Sequence, residues 1–208
     1  TIDTFETDEN GIVVLPETVK WGHYTIEEVT SPEGYIINSD GVDVFVGHVG
    51  DAPEEIYELE VQVPNDPVKG RIVIEKKGNR LVGFETMKDE NGMEYMKPVY
   101  EYRYLSGVVF DIKAADDVIG KDGTTWYQKG DVVETITTNS EGPVSSSELP
   151  LGKYTVEEVQ TPDGYYCDPT IYEANLSFVD NQTKVVELQL DIENEYLPIE
   201  IHVDKTKD

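Results

Sequence analysis

Residues 22–35 read GHYTIEEVTSPEGY and residues 152–165 read GKYTVEEVQTPDGY, so one pattern occurs twice at an offset of 130 residues. Self-similarity at a fixed period is the mark of a chain built from repeated structural units. In both copies an alternating run with tyrosine, threonine and valine or isoleucine precedes a Pro-x-Gly turn signal, which is typical of a strand and its turn. The sequence therefore predicts tandem β units.

A second match sets the boundaries of these units. The run RIVIEK at residues 71–76 returns as EIHVDK at residues 200–205. We therefore divide the chain into the last part of one unit (1–66), a complete unit (67–196) and the first strand of a third (197–208), with a proline after each boundary. On this division the chain is a section of a longer protein.

Most segments between turn signals alternate with period two. Tyr154 and Val156 share one face of a predicted strand, and Leu59, Val61 and Val63 do so in the first unit. The one plausible helical stretch is short, around residues 112–120. These features predict an all-β fold, an antiparallel β-sandwich.

Composition excludes several kinds of partner. Among 208 residues there are 43 Asp and Glu against 16 Lys and Arg, for a formal net charge of -27. A field of that sign repels phosphate backbones and anionic membrane surfaces, so we expect no nucleic acid partner. No apolar run approaches the ~20 residues of a membrane span, so no membrane insertion is expected either. Because Cys167 is the only cysteine, no intrachain disulfide can form.

The same alternation puts a polar residue on the apolar face of three strands. These are Lys76 with Ile72 and Ile74, Glu158 with Tyr154 and Val156, and Asn194 with Leu190 and Ile192. Each has an ordinary alternative: an exposed strand-end lysine, a solvated Glu157–Glu158 pair, or a turn asparagine. Three isolated polar groups in one core would each cost several kcal/mol, so we expect the three side chains to meet.

A first strand ending in lysine, a Gly-x-Tyr-Thr-x-x-Glu run followed by Pro-x-Gly-Tyr, and a last strand ending in asparagine together resemble the Cna B-type domains of Gram-positive pilins and adhesin stalks. The resemblance implies tandem immunoglobulin-like, prealbumin-like sandwiches. It also implies an isopeptide bond in which the Lys76 amine attacks the Asn194 carboxamide and ammonia leaves, assisted by Glu158. By position, Glu28 and Asn65 are the equivalent residues of the first unit, and Lys205 is that of the third.

Physical chemistry supports such a reaction independently. Burial disfavours charged forms, so a buried amine and carboxyl group tend toward the neutral pair, and a neutral amine is a nucleophile. We expect the carboxyl group to contact the amide oxygen and relay protons. The event is a single turnover that consumes its own side chains, so the chain is not expected to be an enzyme. No cofactor is expected.

Two other segments have alternative interpretations. Residues 82–104 depart from the compact family pattern and are rich in aromatic residues and methionine, so they predict either a ligand-binding flap or, the interpretation we favour, a hairpin that packs on its own or the next unit. Four aspartates near Gly123, at positions 116, 117, 122 and 131, do not have EF-hand spacing, and we interpret them as a solvated loop with no metal.

Three functions compete. The first is a structural stalk that carries an adhesive tip away from the wall of a Gram-positive cell, with neighbouring repeats as partners. The second is an adhesin module that itself binds a host extracellular protein or glycan. The third, an enzyme of transthyretin-like architecture, is disfavoured because no compact His, Arg or Ser constellation recurs. For the ends of the chain, we expect Lys205 of one copy to dock beside Asn65 of another, or both ends to fray.

Overall fold

A computed structural model describes residues 3–47, 59–121 and 123–197. The chain divides into two compact units. The first comprises the described residues up to Ser31 and from Ile37 to Asp66, and the second comprises Pro32–Ile36 and the described residues from Pro67 onward. Lys205 and Asp122 lie outside the described residues.

The described residues of the first unit contain one two-stranded antiparallel sheet, formed by β1 (Gly22–Ile26) and β2 (Val42–Val46). The alternation of Leu59, Val61 and Val63 predicted a further strand, and this prediction was wrong, since residues 59–66 form none. Leu59 is 57% exposed. Period-two alternation makes a strand only where a neighbouring strand accepts its backbone hydrogen bonds.

The second unit is built from eleven strands in the described residues. In chain order they are β3 (Lys69–Lys88), β4 (Glu94–Tyr104), β5 (Val109–Ala114), β6 (Val118–Ile119), β7 (Thr125–Tyr127), β8 (Val132–Thr137), β9 (Val144–Ser145), β10 (Leu149–Pro150), β11 (Gly152–Gln160), β12 (Ile171–Leu176) and β13 (Val185–Asn194). The described residues contain no helix, so the predicted all-β class is confirmed.

Two of the sheets in the second unit form a sandwich. One has the order β10-β3-β13, with β4 and β9 also paired to β3, and the other has the order β12-β11-β5-β8; β6 and β7 make a small separate pair. The core lies between the two larger sheets and includes Ile72, Ile192, Phe110, Val156 and Leu176, each at most 1% exposed. Alternate residues of β3 and β5 are buried, as expected for strands with one apolar face.

One detail of the strand pairing differs from the sequence prediction. The predicted antiparallel sandwich was wrong at one position, because β3 and β13 pair in parallel over ten residues, from Val185 opposite Lys69 to Asn194 opposite Gly78. The stretch near residues 112–120, the one segment with any helical signal in the sequence, forms parts of β5 and β6 and no helix. Ile112 lies within β5 and is fully buried opposite Val156. The apolar residues of that stretch have the spacing of one face of a strand rather than of a helix.

The segment 82–104 belongs to a long antiparallel hairpin, as the sequence interpretation favoured. Residues 77–88 of β3 pair with β4 from Tyr104 to Glu94, with an irregularity at Val82. The base of the hairpin packs on its own unit, where Tyr100 contacts the Tyr196 ring and Tyr102 donates a hydrogen bond to Glu195.

Candidate functional site

Three strands of the second unit position one polar cluster in the core. Lys76 lies on β3, Asn194 is the last residue of β13, and Glu158 lies on β11 in the facing sheet. In the parallel register Lys76 is opposite Ile192 and Asn194 is opposite Gly78, so the lysine reaches its asparagine diagonally. The cluster therefore joins the first and last strands of the sandwich to the opposite sheet.

The three side chains are in direct contact. Lys76 Nζ donates a hydrogen bond to Asn194 Oδ1 at 2.5 Å. Nζ is also 3.0 Å from Glu158 Oε2. Asn194 Nδ2 donates to Glu158 Oε1 at 2.7 Å. The structure thus brings together the three residues that the strand alternation placed on one face.

The cluster is almost fully shielded from solvent. Lys76 and Asn194 are 2% exposed and Glu158 is 8% exposed. The Phe110 ring lies under the amine, with its centroid 5.6 Å from Nζ. Burial lowers the pKa of Lys76 below its ordinary value of 10.5, and the neighbouring Glu158 carboxyl opposes part of that change. Burial therefore shifts the balance of this amine toward its neutral, nucleophilic form.

The geometry suggests a role for each oxygen of Glu158. One oxygen faces the lysine nitrogen and the other faces the asparagine nitrogen. This differs from the expected contact with the amide oxygen, which instead accepts the hydrogen bond from Lys76. A carboxyl group that bridges the attacking and the leaving nitrogen can take a proton from one and give a proton to the other.

Sequence reasoning missed two residues that shape the site. Thr161 Oγ1 accepts a second hydrogen bond from Asn194 Nδ2 at 3.2 Å. Thr161 follows the end of β11, where strand alternation no longer predicts direction. Gly78 lies opposite Asn194, and a Cβ there would come within 2.7 Å of the Tyr165 ring and 2.9 Å of the Leu105 side chain. A glycine is needed because these side chains pack directly against the strand.

In the first unit, Glu28 and Asn65 also meet. Asn65 Nδ2 donates to both carboxylate oxygens of Glu28 at 2.7 Å, and the backbone N–H of Asn38 donates to Glu28 Oε2 at the same distance. Both residues are half-buried rather than buried. Because Lys205 lies outside the described residues, the predicted docking of its amine beside Asn65 stays a prediction.

The one cysteine of the chain lies near this cluster but is not part of it. Cys167 is exposed, with Sγ 3.7 Å from the backbone oxygen of Glu158. Among the described residues no group of three or more His, Cys, Asp or Glu side chains has metal-binding geometry. No helix in the same residues is long and apolar enough to cross a membrane.

The class of domain is a two-sheet β-sandwich in which a buried polar cluster joins the first and last strands to the facing sheet, and comparison with known families gives the family. The model of the SpaA prealbumin-like fold domain matches residues 1–61 and 100–193. The chain belongs to this family. The matched residues include Glu158, whereas Lys76 and Asn194 lie outside them.

The individual proteins that resemble this chain have low sequence identity to it. The trypsin-resistant surface T6 protein of Streptococcus pyogenes serotype M6 is 26% identical over 117 residues, which are 55% of this chain and 20% of that protein. The Bacillus anthracis TIE protein is 21% identical with a TM-score of 0.51, over 92% of this chain and 28% of that one. A minor pilin of Streptococcus agalactiae is 19% identical with a TM-score of 0.39, over 68% of this chain and 51% of that one. The chain spans about half or less of each relative, and the likeness to the TIE protein shows a shared fold.

Proposed function

We propose that residues 67–196 are one complete repeat of a structural stalk in a surface protein of a Gram-positive bacterium, and that this repeat crosslinks itself through an amide bond between Lys76 and Asn194. The observation that carries the proposal is the buried contact among an amine, a carboxyl group and a carboxamide, with Nζ 2.5 Å from Oδ1. Lysine is almost never fully buried unless it has a partner.

The chemistry follows from the contacts. The neutral Lys76 amine attacks Cγ of Asn194, and a bond forms between Nζ and Cγ. Glu158 Oε2 accepts the proton that Nζ loses, and a proton from Oε1 passes to Nδ2. The bond between Cγ and Nδ2 then breaks and ammonia leaves. The carboxyl group is regenerated, so the products are one isopeptide bond and one ammonia.

The reaction needs no substrate from outside, because the fold supplies proximity. Fixed neighbouring groups lower a barrier by roughly 7–11 kcal/mol compared with free reactants. Each chain reacts once and consumes its own side chains, so the unit is a self-modifying structural domain rather than an enzyme.

Stability is the benefit of the bond. Lys76 and Asn194 are 118 positions apart in the chain. By analogy with disulfides, closing a loop of that size stabilises the fold by about 4–5 kcal/mol. The chain has one cysteine and so cannot obtain this from a disulfide. The acidic surface and the similarity to a streptococcal surface protein support an extracellular, cell-wall-attached location, with neighbouring repeats of the same protein as partners.

Intact mass spectrometry tests the proposal. The purified, folded chain should weigh less than its sequence mass by one ammonia, and tryptic digestion should yield one branched peptide that contains Lys76 and Asn194. The Lys76→Ala variant should have its full sequence mass. The Lys77→Ala variant is the matched control, because this neighbouring lysine points to the outer face and pairs with Glu75; it should still lose ammonia. A folded chain with the full sequence mass would exclude the bond.

A further inference from the structure

The hairpin arm, defined as residues 77–104, extends the sheet beyond the sandwich. The pairing of β13 with β3 ends at Gly78, so from residue 79 onward the described strands of the arm pair only with each other. A two-stranded ribbon is marginally stable by itself in water. At roughly 3.3 Å per residue, the stretch from Asn79 to Lys88 is about 30 Å long. Such a structure gains stability if another surface covers it.

One face of the arm is an apolar stripe. Cross-strand neighbours share a face, and the register pairs Leu81 with Tyr100, Phe84 with Pro98 and Thr86 with Met96. Phe84 is 58% exposed and Met96 is 60% exposed, while Leu81 and Tyr100 are 39% and 48% exposed. Large apolar side chains that lie side by side and are open to water mark an interaction surface more often than a solvated one.

The composition of the arm is that of a protein interface. It holds all three methionines of the chain, two of its three arginines and four of its tyrosines. Tyrosine, methionine and arginine are the types enriched where proteins meet. Methionine adapts its shape to a partner because its side chain is unbranched.

The arm is also electrically neutral in a strongly acidic chain. It carries five Lys and Arg and five Asp and Glu, so the remaining residues carry the whole net charge of -27. Two copies of this chain repel one another when their acidic surfaces approach. The neutral arm lets two copies make contact where that repulsion is weakest.

The β4 edge of the arm is protected against the addition of a further strand. Pro98 lies in the middle of β4, whose outer edge has no strand partner in the described residues. A proline has no N–H to donate and is one of the devices that keep an exposed edge from adding a further strand. Strand addition at the β4 edge is therefore disfavoured, and the exposed side-chain stripe is the contact surface that we consider.

We infer that the hairpin arm is a contact surface for a second copy of this chain, which packs its own arm against the stripe of Leu81, Phe84, Met96, Pro98 and Tyr100. The contact joins two neutral, apolar faces and leaves the acidic surfaces apart. It does not depend on the amide bond between Lys76 and Asn194, because the arm lies outside the core.

Sedimentation velocity of the whole chain over a wide concentration range tests this inference. The wild type should associate, and Phe84→Lys should weaken the association about tenfold or more, equivalent to about 1.4 kcal/mol. Ile171→Lys is the matched control, because Ile171 is also a strand residue and is 58% exposed; it introduces the same charge and should leave the association unchanged. Thermal unfolding should show that both variants are folded.

Salt adds an independent readout. Raising sodium chloride from 50 to 500 mM should strengthen the association, because salt screens the repulsion between two negative copies and leaves apolar contact intact. The inference is overturned if the chain stays monomeric at every concentration or if both variants behave alike. It is also overturned if salt weakens the association, because attraction between basic side chains of one copy and the acidic surface of another would then drive the contact.

Discussion

Glu157 and Glu158 are neighbours in the chain with opposite surroundings. Glu158 is buried against Lys76 and Asn194, whereas Glu157 is partly exposed and pairs with Lys113 at 2.6 Å. The difference arises because successive residues of a strand point to opposite sides of the sheet. The pair therefore allows the role of one carboxyl group to be tested against an adjacent control of the same type.

Glu158→Gln should fold but form the amide bond at least 100-fold more slowly, since general acid–base assistance contributes roughly 10²–10⁴ in rate. Loss of the closed loop should lower the melting temperature by on the order of 10–20 °C. Glu157→Gln should crosslink like the wild type. Intact mass and scanning calorimetry measure both effects, and equal behaviour of the two variants would contradict the assigned facing of β11.

The lowered pKa of Lys76 predicts how bond formation depends on pH. Only the neutral amine attacks, and below the pKa its fraction rises about tenfold for each pH unit. The rate should therefore rise with pH and level off once the pH exceeds the pKa of Lys76, which burial lowers below 10.5. Protein recovered unfolded from inclusion bodies would be refolded at pH 5 to 9 and quenched at intervals, and the loss of ammonia would be measured by intact mass spectrometry. A rate that does not change with pH would show that deprotonation of the amine does not limit the reaction.

At the scale of elements, the parallel pairing of β3 and β13 is the central feature. Chain order makes these the first and last strands of the second unit, and the sheet places them side by side. Adjacent parallel strands bring Lys76 within reach of Asn194, although the two residues are 118 positions apart. The facing strand β11 contributes Glu158 from the other sheet, so the cluster exists only when both sheets have formed.

The long extension of β3 separates two roles within one strand. Up to Gly78 its alternate residues are buried in the sandwich, and beyond Arg80 its side chains are mostly exposed. The base of the hairpin arm is fixed by Tyr102, whose hydroxyl donates to Glu195 and has its pKa raised to about 12 by that carboxylate. The arm is thus fixed at its base, and the rest of its surface is accessible to a partner.

At the scale of the molecule, the amide bond would change how the second unit carries force. Tension that enters through β3 and leaves through β13 would cross from Lys76 to Asn194, so the residues between them would bear no load. In single-molecule pulling, the wild type should lack an extension of roughly 400 Å that the Asn194→Ala variant shows, given about 3.4 Å for each extended residue. The same extension in both proteins would contradict the crosslink.

The sequence by itself determined the all-β class, the repeat and the direction of the polar residues. Strand alternation is a local property, so the facing of Lys76, Glu158 and Asn194 could be inferred from their apolar neighbours alone. For the same reason Glu157, the residue before Glu158, points to the other side of the sheet, where it pairs with Lys113.

The pairing of the strands could not be inferred from the sequence and is seen first in the folded chain. Pairing depends on burial and on backbone partners far along the chain, so local alternation cannot distinguish parallel from antiparallel neighbours, and it wrongly predicted a strand at residues 59–63. Thr161 and the contact of Glu158 with the amide nitrogen were hidden for a related reason, because they depend on how the end of β13 meets the loop after β11. The exposure of the hairpin arm could not be predicted either, because an apolar strand has the same sequence pattern whether it is buried in a core or exposed to solvent.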